Sequence, residues 1–170
     1  PAVVAAATSG PRRAAAVALL LWSGVGARDV AVGWTRLADE AGAAAIAEAV
    51  ENAPRMPQPG ATALGEGMAA GLALLGAFPG EARRHVLDVS GDGRNNAGRA
   101  PAPVRDLAVG AGITVNGLAV LNEEPDLLDY YAAEVIGGPG SFAMHCASHS
   151  DFQEAILRKL VRELAGALIS

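Results

Sequence analysis

Apolar positions along the chain fall into two periods, and the switches between them predict the elements. Residues 2–8 read as the tail of a helix closed by Gly10-Pro11. Residues 14–22 end in Val17, Leu19, Leu20, Leu21 and Trp22, an apolar run typical of a strand covered on both faces. Gly24 and Gly26 make a turn, and residues 29–37 then alternate, with Val30, Val32 and Trp34 on one side. The two runs predict an antiparallel hairpin at a sheet edge. An Ala-rich stretch, 39–52, places Ala43, Ile46, Ala47 and Val50 on one helical stripe, and Pro54, Pro57 and Pro59 make the next segment a loop. A helix over 62–78 lines up Leu64, Met68, Leu72 and Leu75.

Strand 84–90 runs into a polar loop, Gly91 to Arg99. Helix 102–111 presents Val104, Leu107, Ala108 and Ala111 and stops at Gly112. Strand 113–121, helix 126–135, a turn at Gly137-Gly138-Pro139-Gly140 and a short strand over 141–147 follow. The last helix, 151–168, opens with Ser150 and Gln153 in the spacing of a capping box. Phe152, Ile156, Leu160, Leu164 and Leu168 then recur every four residues. Strands and helices that alternate in this way predict a three-layer α/β fold. Its sheet is mostly parallel and Rossmann-like, with an antiparallel edge hairpin and helices on both faces. Ligands bind such sheets at the carboxyl ends of the strands, which directs attention to the loop after strand 84–90.

Length adds that the 170 residues suit one domain, 1–170. The chain is 51% hydrophobic but only 4% aromatic, so its apolar content is mainly alanine, leucine and valine. Small side chains suit helices packed closely on a sheet rather than an aromatic-lined pocket. The net charge of −5 and basic residues that come at most in pairs exclude a nucleic-acid footprint. A lone Cys146 forbids an internal disulfide. No apolar run approaches the roughly 18 residues of a membrane span.

Three segments could carry chemistry. Asp88-Val89-Ser90-Gly91-Asp92-Gly93-Arg94-Asn95-Asn96 sets oxygen-bearing side chains at a strand end, where hard cations find ligands. It is not an EF-hand, because Arg99 stands where the bidentate Glu belongs and a strand precedes it. An Asx-rich turn that bonds its own backbone is the alternative. In Gly60-Ala61-Thr62-Ala63-Leu64-Gly65-Glu66-Gly67, Thr62 is either a helix N-cap or a hydroxyl open to a cation. In His145-Cys146-Ala147-Ser148-His149, adjacent strand residues face opposite ways, so a shared zinc ion is disfavoured.

Together the Gly60–Gly67 segment and His85-Val-Leu-Asp-Val-Ser-Gly-Asp-Gly-Arg-Asn-Asn-Ala-Gly resemble one family. So do Tyr130-Tyr131 with Val135-Ile-Gly-Gly-Pro-Gly-Ser-Phe, and Asp151-Phe152 with Ile156-Leu-Arg-Lys-Leu. The family is an uncharacterised bacterial group of von Willebrand factor A-like domains, and the resemblance spans essentially the whole chain. It implies a metal-ion-dependent adhesion site at the top of the sheet, holding Mg²⁺ or Mn²⁺. Thr62 and Asp92 match two of its ligands, and Gly93, Arg94, Asn95 and Asn96 lie in the binding loop. The family's Asp-x-Ser-x-Ser motif occurs nowhere in the chain.

By the same resemblance the domain is N-terminally incomplete, its first, central strand missing between the strands at 14–22 and 84–90. Two edges with unpaired N–H and C=O groups would then need another segment, a second copy of the chain, or a different closure. The expectation for the site is therefore incomplete ligation and weak metal binding. The functional expectation is a non-enzymatic, adhesion-type protein-binding domain, periplasmic or secreted. Two rivals stand beside it: a metal-assisted hydrolase using Asp88, Asp92 and His85, and a scaffold with a vestigial metal site.

Overall fold

A computed structural model describes residues 2–9, 14–54 and 61–165. They divide into two compact units: one takes in those within 1–21, 29–55 and 156–170, the other those within 22–28 and 56–155. The Gly10-Pro11 closure, Pro57, Pro59, Gly60 and Leu168 lie outside the described residues.

In the first unit, helix α1 (Ala2–Thr8) precedes the antiparallel pair β1 (Ala15–Trp22) and β2 (Arg28–Leu37), as the hairpin pattern predicts. β1 is half-buried along most of its length rather than enclosed on both faces. Helix α2 (Glu40–Glu51) starts where Asp39 Oδ1 accepts the Gly42 N–H at 2.8 Å, a side-chain N-cap. Its inward line runs through Ala43, Ile46 and Ala49, while Ala47 and Val50 are exposed. The final helix, α6 (Phe152–Ala165), follows a 3-10 turn at His149–Asp151. Ser150 therefore does not act as the capping residue; its hydroxyl meets that of Ser148 at 2.6 Å. The most buried line on α6 is Ala155, Lys159 and Glu163, and the Phe152–Leu164 line flanks it half-buried. A polarity pattern misses this, because Lys159 Nζ and Glu163 Oε1 neutralise each other at 2.9 Å one turn apart.

The second unit is built on a parallel sheet in the order β3 (Val86–Gly91), β4 (Thr114–Val120), β5 (Ala143–Cys146). Among the described residues β3 pairs with β4 alone. Every residue of β4 is buried, as expected of a central strand. Its two polar side chains are engaged: Asn116 Oδ1 accepts the Phe142 N–H, and the Thr114 hydroxyl donates to the Pro139 carbonyl. These bonds fasten the Gly137–Gly140 turn to the strand.

Helices α3 (Leu64–Gly76) and α4 (Pro101–Gly110) pack on each other and on β3 and β4. Leu64, Met68, Val89, Val104, Ala108, Val115 and Tyr131 form the centre of the core. α4 opens on Pro101 and closes in a Schellman motif, with the Gly112 and Ile113 N–H groups reaching the Val109 and Ala108 carbonyls. Leu107, assigned to the inner face by spacing, is 72% exposed; the buried line is Pro101, Val104 and Ala108. The helix predicted over 126–135 is a short α turn, α5 (Leu127–Tyr130), that widens into a π-helical segment, Tyr131–Val135. Such bulges cluster at functional sites.

Candidate functional site

The carboxyl end of β3 leads into the loop that the sequence singles out. Asn95, half-buried, and Asn96, exposed, act as staples between that loop and the segment that starts α3. Asn96 Oδ1 accepts the Thr62 N–H at 2.7 Å, and the Asn96 N–H returns a bond to the Thr62 carbonyl at 2.9 Å. Asn95 Oδ1 accepts the Gly65 N–H at 3.2 Å, one of the amides a helix start leaves unpaired. The Asn95 N–H donates to the Tyr130 hydroxyl at 3.3 Å. This is the Asx chemistry expected of the alternative reading, but it ties together two segments distant in sequence. An Asn95→Ala protein should lose about 1–3 kcal/mol, the cost of a half-buried amide left unpaired, read as a lower urea midpoint.

Arg94 is held from two sides. Its Nε donates to Glu124 Oε2 at 3.0 Å and its Nη2 to Asp126 Oδ2 at 2.5 Å, while its backbone N–H reaches Glu124 Oε1. The guanidinium lies 5.0 Å from the Tyr130 ring centroid. The hydrogen bond to Asp126 raises the Arg94 pKa, and its counterpart holds the Asp126 carboxyl below the ordinary value. Burial pushes the Tyr130 phenol up. Arg94 thus locks the 91–99 loop onto the 124–130 segment.

On the far side of the loop, Glu66 in α3 accepts the Arg99 Nε at 2.9 Å and the Arg99 N–H at 3.2 Å. The guanidinium bond first, then the backbone bond, keep the Glu66 carboxyl below its ordinary value. A carboxyl lowered on folding stabilises the fold fully above its ordinary value of 4.5, and that share is lost as pH falls through the folded value. Urea midpoints measured from pH 7 downward should therefore fall more steeply below about pH 4.5 for the parent than for Glu66→Gln.

The Thr62 hydroxyl lies beside Gly93, the residue that follows Asp92 in the loop. A Cβ built on Gly93 would sit 3.5 Å from Thr62 Oγ1 and 3.5 Å from Glu124 Oε1. Thr62 is not the N-cap of α3: Ala63 occupies that position and no side chain caps it. Its hydroxyl is thus not spent on the helix. Asp92 Oδ2 lies 3.3 Å from His149 Nε2, and both side chains are more than half exposed. Both Glu124 oxygens are taken by Arg94.

A hard cation beside Gly93 would find the Thr62 hydroxyl, would need the Asp92 carboxylate to turn from His149, and would take water or a ligand's oxygens for the rest. Among the described residues, no three His, Cys, Asp or Glu side chains cluster in a way that could hold a metal. His85 precedes β3 and Asp92 follows it, so the strand's rise alone separates them by about 20 Å and the hydrolase trio is not assembled. His145 is exposed and Cys146 buried, on opposite faces as argued.

Glu66, Glu124, Asp126, Tyr131 and His149 were not singled out from sequence as parts of this region. The partners of Glu66, Glu124, Asp126 and His149 lie tens of residues away, and the segments that carried Glu66, Tyr131 and His149 gave no sign of these contacts.

With its parallel sheet, antiparallel hairpin and six α-helices among the described residues, the chain has a mixed α/β fold, an arrangement consistent with a von Willebrand factor A-like domain. It belongs to the family described as protein of unknown function DUF1194, whose model matches residues 1–168. Among solved structures, it is similar to proximal thread matrix protein 1 (PTMP1) from the mussel byssus, with a TM-score of 0.57 and 19% identity. The match covers 88% of this chain and 36% of that one, so the chain spans about a third of the mussel protein's length. No curated protein sequence matches it. No helix among the described residues is long and apolar enough to cross a membrane.

Proposed function

We propose that this chain is a non-enzymatic, adhesion-type domain that binds a protein partner at the carboxyl end of its parallel sheet. A divalent cation, Mg²⁺ or Mn²⁺, held by Thr62 and Asp92 would present an open coordination position to a carboxylate of that partner. The observation that carries the reading is the Thr62 hydroxyl, left free of capping duty and set against Gly93 beside Asp92. Few protein anions at the site leave the cation's charge uncompensated, so an incoming carboxylate would be strongly drawn to it. The fold shared with a byssal matrix protein supports recognition rather than catalysis, and export to the periplasm or beyond belongs to the same proposal. Gly93, Arg94, Asn95 and Asn96 shape the loop around the site, the last three chiefly by bracing it.

Calorimetric titration with Mg²⁺ tests the reading. Weak, saturable uptake by the parent and none by Asp92→Ala is the expected result. Equal heats from both proteins would remove Asp92 from any metal site and leave the scaffold reading, in which partner binding ignores chelator.

A further inference from the structure

Tyr131 is fully buried, and among the described residues its hydroxyl has no hydrogen-bond partner. The ring is fitted closely: a Cβ on Gly117 would come within 2.7 Å of its Cδ1. The hydroxyl itself reaches the carboxyl end of β3. A Cβ on Gly91, the residue before Asp92, would stand 2.8 Å from the Tyr131 oxygen and 3.5 Å from Trp22 Cζ2. Position 91 therefore has to be glycine for the phenol to reach the foot of the site.

A buried donor left unpaired costs about 1–3 kcal/mol, and a phenylalanine would fill the same volume without that cost. Burial first, and then the charge of Asp92, push the phenol's pKa up, so it stays protonated and remains a donor. Neighbouring groups are engaged with one another: Arg94 with Glu124 and Asp126, Asn95 Oδ1 and Asn96 Oδ1 with the Gly65 and Thr62 amides, and the Tyr130 hydroxyl with the Asn95 N–H.

We propose that Tyr131 is a positioning residue of the Asp92–Thr62 site, its hydroxyl being the inward donor to the oxygen shell of a divalent cation held there. This rests on the adhesion-site reading above. Such outer-shell partners orient the ligating oxygens and typically change metal affinity by about 10–100-fold.

The test is Mn²⁺ alone, counted by loss of its free EPR signal, on the parent, Tyr131→Phe and Asp92→Ala proteins, with thermal melts in EDTA beside it. The inference predicts that Tyr131→Phe melts in EDTA at or above the parent temperature yet binds Mn²⁺ at least about 10-fold more weakly, while Asp92→Ala takes up none. If Tyr131→Phe binds Mn²⁺ as the parent does and Asp92→Ala does not, the inference falls and the site reading stands. A Tyr131→Phe protein that melts several degrees lower in EDTA would mean the hydroxyl is already bonded without metal, for instance to a trapped water, and would also overturn it. No uptake by the parent would remove the site reading and the inference with it.

Discussion

A Gly65→Ala protein should be less stable than the parent by about 2–3 kcal/mol, the cost of forcing an atom into a packed position. Helix propensity alone gives the opposite sign, since alanine in a helix is favoured over glycine by about 0.5–1 kcal/mol. The geometry decides the sign. Gly65 is in the first turn of α3, and the atom a Cβ would meet is the Arg99 carbonyl oxygen, with the Ala100 carbonyl at 2.9 Å. Both are backbone and neither can swing away. The same approach lets the Gly65 N–H reach Asn95, so the added methyl would also push the 91–99 loop off α3. Chemical denaturation gives the sign directly; a gain in stability would show that loop and helix are not in the contact described.

Removing the Tyr131 ring should cost more. Truncation of a fully buried aromatic ring costs about 3–5 kcal/mol, and the Tyr131→Ala cavity would lie among Leu127, Val135, Gly117 and Gly91 at the centre of the second unit. The expected result is a protein that is largely unfolded at moderate temperature or melts far below the parent. Set beside a Tyr131→Phe protein of undiminished stability in EDTA, that contrast separates ring from hydroxyl: the ring holds the core, and the hydroxyl is free for another purpose. A Tyr131→Ala protein that melts within a few degrees of the parent would contradict the placement of this side chain.

Much of the fold is legible in the sequence because the elements follow the period of their apolar residues. β2 alternates and forms a hairpin; 113–121 is continuously apolar but for Thr114 and Asn116 and becomes the buried strand β4. Misplaced faces have particular causes. Leu107 reads as inward on α4, but the helix is narrow-faced and buries small residues, Pro101, Val104 and Ala108, leaving a large leucine outside. On α6 the apolar line from Phe152 to Leu164 is only half-buried, while Lys159 and Glu163, paired with each other, are buried.

At the candidate site, the loop and Thr62 can be picked out because their residue types are unusual for their positions. The staple role of Asn95 and Asn96 could be guessed only in kind, since their partners belong to a helix start about 30 residues earlier. The Arg94 clamp depends on Glu124 and Asp126, which in sequence are unremarked acids ahead of a helix. The unpaired Tyr131 hydroxyl leaves no trace in the sequence at all, since a buried tyrosine with a partner and one without are spelled alike.

The proposed adhesion site requires one divalent ion to touch both the Thr62 hydroxyl and the Asp92 carboxylate. Anomalous diffraction from crystals soaked in Mn²⁺ measures this most directly. A single strong peak is expected at about 2–2.5 Å from both oxygens, with the Asp92 carboxylate turned from His149 toward the ion. A peak elsewhere on the molecule, with Asp92 still on His149 and nothing beside Thr62, would contradict it.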